Sequence, residues 1–240
     1  MALQSYLTQT AQLLQNPPAP STLYSTADLT TYINRARLQI AGESESVRGY
    51  LTLAVSDAAQ QYPFSAISLG NAPSGSAGIF SIRQASVQIG TGAAFVRARG
   101  FPWFNQYYLM DPNPQAAPPA VWSQFGQGES GSIFTNLLDG PYVLNLDCVI
   151  VPAVLVTDND PEAIPYPWTD CVPFFAAFYA YMSAQRQPDA DEMFQRYQQF
   201  ASRARGMSTP GVLPGIYPKQ TDPTRANKLA QTGGAGAAQQ

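Results

Sequence analysis

Histidine is absent from the 240 residues, and lysine occurs only at Lys219 and Lys228, both near the C-terminus. Without imidazole the chain holds no Ser-His-Asp or Cys-His nucleophile, no HExxH zinc motif and no histidine general base. Without lysine before residue 219 it holds neither a Walker-type phosphate lysine nor a Schiff-base lysine in its body. Charge is scarce as well: charged residues make up 12% of the chain and the formal net charge is −3, against a usual charged fraction of about 25%. A surface so poor in charge is prone to association, which points to work inside an assembly. The sequence pI of about 4.8 opposes a nucleic-acid grip, because phosphate binding relies on clustered Lys and Arg.

Long hydrophobic runs are missing too. The most apolar stretch, Val172 to Met182, is shorter than the roughly 18 to 20 residues of a membrane span and reads as a core helix. The N-terminal MALQSYLTQTAQLLQ has neither the basic region nor the continuous apolar stretch of a secretory signal, so synthesis in the cytoplasm is expected. Cys148 and Cys171 are therefore expected as buried thiols rather than a disulfide.

What is present has a clear order. Residues 1–22 read as an N-terminal arm on a stiff linker set by Pro17, Pro18 and Pro20. Ser25 or Thr26 can cap a helix whose apolar residues, from Leu29 to Ile40, follow the 3.6 period until Gly42 ends it. Arg35 and Arg37 are expected on its outer side. From Val47 to Val156 the pattern changes to short alternating runs broken by Gly, Pro, Ser and Asn, predicting strands at 50–55, 66–69, 79–89, 95–99, 132–135 and 142–150. The segment Phe101 to Met110 (FPWFNQYYLM) is aromatic and more helical than extended. Helices are predicted again at Trp168 to Gln185, with a possible kink at Pro173, and at Pro188 to Arg205. The second of these starts with Asp189, Asp191 and Glu192 and ends with Arg203 and Arg205 before Gly206, as the helix dipole favours.

The fold class is thus α+β: a helical bundle of one early and two C-terminal helices, interrupted by an antiparallel β-sandwich or barrel-like insertion, with an extended N-terminal arm and C-terminal tail. The corresponding divisions are 1–22, 23–46 with 164–206, 47–163, and a tail at 207–240 that is too rich in Thr, Pro, Gly, Ala and Gln to build a core alone.

Three constellations bear on chemistry. Asp158, Asp160 and Glu162 alternate like the start of a calcium loop, but Ala163 and Thr169 stand where that loop needs Gly and Glu, so a turn with carboxylates is the simpler reading. Asp139 with Asp147 is the kind of carboxylate pair that could cleave a glycan, although nothing selects it among sixteen acids. Phe101, Trp103, Phe104, Tyr107, Tyr108, Trp122 and Phe125 could stack on a sugar, and apolar packing explains them more simply.

The order of elements resembles the head-to-tail adaptor proteins of tailed bacteriophages. It is carried by DLTTYINRARLQIAG, the aromatic FPWFNQYYLMDPNP, the strand ending in VIVPAVLVTDND, and the two C-terminal helices. The matching positions are Pro152, Leu155, Asp158, Ile164, Pro165, the helix Trp168 to Gln185, Asp189 and Tyr197, within a span from Ser25 to Gly206. The resemblance implies a non-enzymatic virion protein without cofactor or metal. It would form a ring, of twelve copies, between the portal and a downstream tail or nozzle protein, and double-stranded DNA would pass without being held. No membrane is involved. Leu213 and Tyr217 in the tail are then candidate contacts to portal or a neighbouring subunit, and Arg35, Arg37, Arg203 and Arg205 candidate intersubunit ion pairs. A different virion module, such as a nozzle or carbohydrate-binding protein, is the alternative that the aromatic β-rich middle keeps open.

Overall fold

The computed structural model describes residues 2–17, 23–89 and 92–208. The first helix, α1 (Ala2–Leu13), places Leu3 and Tyr6 in the core, and Leu14 just beyond it is buried too. The extended arm expected there is corrected to a packed helix. Its apolar residues find partners in the next helix and in a helix far along the sequence, contacts that local periodicity does not register. Helix α2 (Thr26–Ser44) begins with a reciprocal cap in which the Ser25 hydroxyl accepts the Asp28 amide and the Asp28 carboxylate accepts the Ser25 amide. It runs through Gly42 instead of stopping there and ends where Glu45 turns left-handed at φ 50°. A helical glycine costs about 1 kcal/mol, and packing beside Phe80, within 3.7 Å of where its Cβ would stand, accompanies it here.

The β region is one sheet rather than a sandwich. Its strands are β1 (Arg48–Val55), β2 (Gln61–Pro63), β3 (Ser76–Ile89), β4 (Gly92–Ala98), β5 (Val121–Phe125), β6 (Ser132–Thr135) and β7 (Tyr142–Pro152). They lie in the order β1-β7-β3-β4-β5-β6-β2, all antiparallel except the short β4/β5 pair. The sheet curls into a half-barrel: the Ser68 amide, just past its far edge strand, donates 3.0 Å to Thr52 in β1 at the opposite edge. The long central strand β7 is bonded on one side to all of β1 and on the other to β3, which carries register shifts at three places. Leu51, Leu53 and Val55 alternate with Tyr50, Thr52 and Ala54, so one face is buried and the other open. The strand expected at 66–69 is a 3-10 turn (Phe64–Ala66) followed by the single bridge at Ser68.

Between β4 and β5, α3 (Phe101–Phe104) continues into a π-helical turn (Asn105–Leu109), as the aromatic segment led us to expect. After β7 a loop leads through a 3-10 turn (Trp168–Cys171) into α4 (Val172–Ser183), then α5 (Gln187–Ser208). Pro173 sits in the first turn of α4, where its missing N–H costs nothing, and so produces no kink. Gly206 lies inside α5 rather than beyond it. One continuous apolar core joins α1, α2 and α4 to the inner face of β1, β3 and β7, with Tyr197, Ala201 and Ala204 of α5. Phe175 stacks on Tyr197 with ring centroids 4.4 Å apart. The Tyr197 hydroxyl donates 2.6 Å to Glu43, tying α5 to α2.

Candidate interaction surfaces

The residues singled out in the sequence, apart from Leu213 and Tyr217, now have a position. Arg37 is not on the outer side of α2: it is 1% exposed, and its guanidinium is committed within the chain. Its Nε donates to both oxygens of Glu162 (3.2 and 3.0 Å), Nη2 to Oε1 (2.8 Å), and Nη1 to the Ala153 carbonyl (2.6 Å) and Asn34 Oδ1 (3.1 Å). Asn34 in turn exchanges two 2.9 Å bonds with the backbone of Leu155. The Tyr6 phenol of α1 meets the same carboxylate. Burial first, and then the Glu162 charge, raise its pKa far above the ordinary phenol range. A charge-assisted knot therefore holds α1, α2 and the loop after β7 together.

Glu162 thus belongs to this knot, not to a calcium loop. Asp160 accepts the Val156 and Thr157 amides and the Thr157 hydroxyl. Those two amides and then the hydroxyl lower its pKa. Asp158 accepts the Gln4 amide of α1. Among the described residues no group of three or more acidic or cysteine side chains could hold a metal ion. Asp147 pairs with Arg48, and Asp139 accepts the Tyr142 phenol at 2.7 Å. A cavity of about 440 Å³ between the start of β3 and the turns after β2 and β5 is lined by Phe64, Ile67, Leu69 and Ile79 with Glu129 as its only charge.

Most of the positive charge among the described residues is spent internally. Arg37, Arg48, Arg83, Arg186 and Arg196 pair with carboxylates. Arg35 lies 4.4 Å from the Tyr179 ring centroid and Arg99 5.1 Å from that of Trp103. Arg203 and Arg205 are exposed on the last turns of α5. Leu213 and Tyr217 lie outside the described residues.

The aromatic segment divides in two. Phe104 is buried against Val121 and Phe134, with Phe101 and Tyr108 packed on them. Trp103, Tyr107 and Phe125 are 38%, 53% and 55% exposed on the outside of this small core. Trp103 and Tyr107 stand with ring centroids 4.8 Å apart. A second apolar surface was not foreseen: on β4 only Val96 is buried, and Phe95 is 75% exposed. Its sequence signal was available, since GAAFV carries no charge.

Both cysteines are buried and free. Burial is the main cause that pushes Cys148 up to about 12 and Cys171 up to about 11, from an ordinary 9.0. Because the unfolded thiols ionise first, this contribution to stability is complete below about pH 9 and is lost as pH rises towards the folded values. We expect neither thiol to react with a maleimide in the native protein and both to react in denaturant. We also expect urea midpoints to fall steadily above pH 9; labelling at native conditions would contradict the burial.

No described helix is long and apolar enough to cross a membrane. No curated protein sequence matches the chain. The model of the family described as SU10 adaptor protein matches residues 1–216, most of the chain. With the helical frame, the curled sheet and internally neutralised arginines beside exposed apolar residues now in place, that match has a structural context: the chain belongs to the SU10 adaptor protein family, a family of phage head-to-tail adaptors.

Proposed function

We propose that copies of this chain form a ring, of twelve, that joins the portal to the downstream tail or nozzle protein and lines the channel through which the genome leaves. The observation that carries this reading is the family match over residues 1–216. Two physical features support it. With most of its described arginines paired to carboxylates or laid over rings and no lysine before Lys219, the body offers little for DNA phosphates to hold. Exposed aromatic side chains such as Trp103, Tyr107 and Phe95 offer material for subunit and neighbour contacts. In this reading Arg203 and Arg205 take part in contacts between copies, and the tail from 207 onward, with Leu213 and Tyr217, reaches portal or the next subunit.

Native mass spectrometry and electron microscopy of the protein mixed with its portal test this directly. A stoichiometric ring on the portal is the expected result, and a chain that stays monomeric and ignores portal would refute it. Deleting residues 209–240 should reduce incorporation into particles while leaving the thermal unfolding of the body unchanged. Undiminished incorporation would remove the tail from the contact.

A further inference from the structure

The main-chain edge of β4 is open, and its polar groups can be assigned one by one. The amides of Arg97 and Arg99 donate to the Ala120 and Trp122 carbonyls, each at 2.9 Å, on the β5 side. The unbroken register of β4 with β3 places Ala93 and Phe95 on that same edge, because main-chain groups alternate with a period of two. Neither residue has a hydrogen bond on this side to any described residue. The chain preceding β5 cannot cover them. Pro118 and Pro119 lack amide hydrogens, and the chain turns away there so that the Ala117 amide bonds Leu137 at 3.0 Å.

Soluble proteins protect such edges with charge, proline, a bulge or a covering loop. From Gly92 to Val96 this edge has no charge, no proline and no register shift. The other two edges differ: β1 is bridged at Thr52 by Ser68, and β2 is three residues long and ends in Pro63.

The tail carries a matching pattern. Pro210, Pro214 and Pro218 all fall on even positions, while Gly211, Leu213, Gly215 and Tyr217 fall on odd ones. In an extended strand every proline then points its missing amide away from a partner, and every odd residue keeps both its N–H and its C=O for a ladder. We propose that residues 210–218 of a second copy add as an antiparallel strand to the β4 edge. Leu213 lies opposite Phe95 and Gly215 opposite Ala93. Facing residues share a side of the sheet, so Leu213 covers the exposed Phe95 ring. Strand addition of this kind takes affinity from main-chain bonds and selectivity from alternate side chains. The contact rests on the ring reading and names one of the joints within it.

Full-length Ala93→Cys and Leu213→Cys chains, purified separately, mixed and treated with a short bis-maleimide, test it, because Cys148 and Cys171 are buried. The expected product is a covalent heterodimer. Adding Gly215→Pro to the Leu213→Cys chain should cut its yield roughly tenfold, and Ile216→Pro should leave it within about twofold. Equal loss from both proline variants, or no heterodimer in samples that native mass spectrometry shows to be assembled, overturns the contact and leaves the ring. Cross-linking confined to single chains when both cysteines are on one chain overturns the second copy as donor. Absence of both cross-link and assembly, with and without portal, overturns the contact and the ring reading together.

Discussion

Arg37→Met is expected to lower the free energy of unfolding by about 3 to 5 kcal/mol, the range for removing one partner of a buried ion pair. The cause is less the lost attraction than what remains. Glu162, only 14% exposed in its side chain, would keep its charge without the guanidinium that satisfies both oxygens, and the Ala153 carbonyl would lose its 2.6 Å donor. Urea unfolding of the full chain measures this. Glu162→Gln should cost less, because an amide keeps an acceptor for the Arg37 fork and for the Ile164 amide. The Arg37→Met/Glu162→Met double variant should recover part of the loss, as apolar replacements of buried pairs do. A loss under about 1 kcal/mol for Arg37→Met would put the pair in the class of solvated surface bridges.

Gly75→Ala should be nearly as damaging, by about 2 to 4 kcal/mol. Gly75 sits at φ +80°, and a Cβ there would stand 2.3 Å from the Pro161 carbonyl oxygen. That neighbour is backbone and cannot rotate aside. The Gly75 carbonyl also accepts the Ala153 amide at 2.6 Å, so moving it disturbs the carbonyl held by Arg37 on the same residue. Gly78→Ala is the matched control, since a Cβ there meets nothing within 4 Å. Thermal unfolding of the two variants side by side should show a large fall for the first and little change for the second; similar behaviour would mean that the Pro161 loop yields.

These two residues mark the limit of what the sequence disclosed. Helices α2 and α5 were legible because caps, dipole-matched charges and 3.6-residue spacing are local signals, and β6 was expected at its observed bounds. Strand β5 was not, because Val121 to Phe125 follows two prolines and its aromatic residues were grouped with those of α3. Arg37 was read as an outward cation because nothing near position 37 reveals a carboxylate 125 residues later. The Gly42 and Gly206 stops failed because a helical glycine costs only about 1 kcal/mol, too little to end a helix by itself. Among the candidate contacts, the sequence could supply the proline spacing of the tail but not the open edge of β4. That edge emerges only when β5 is seen to leave it.

The placement of α1 has a consequence for the order in which the chain is made. The Tyr181 phenol that donates to Leu13 is separated from it by 168 residues, and the acceptor for the Gln4 amide by 154. Before α4 has been synthesised the first helix has α2 to pack on but lacks its second helical partner. Contacts this distant slow folding, because loop closure must precede the stabilisation they bring. The body can close only once α4 has emerged, so a polypeptide truncated before α4 leaves α1 with α2 but without α4.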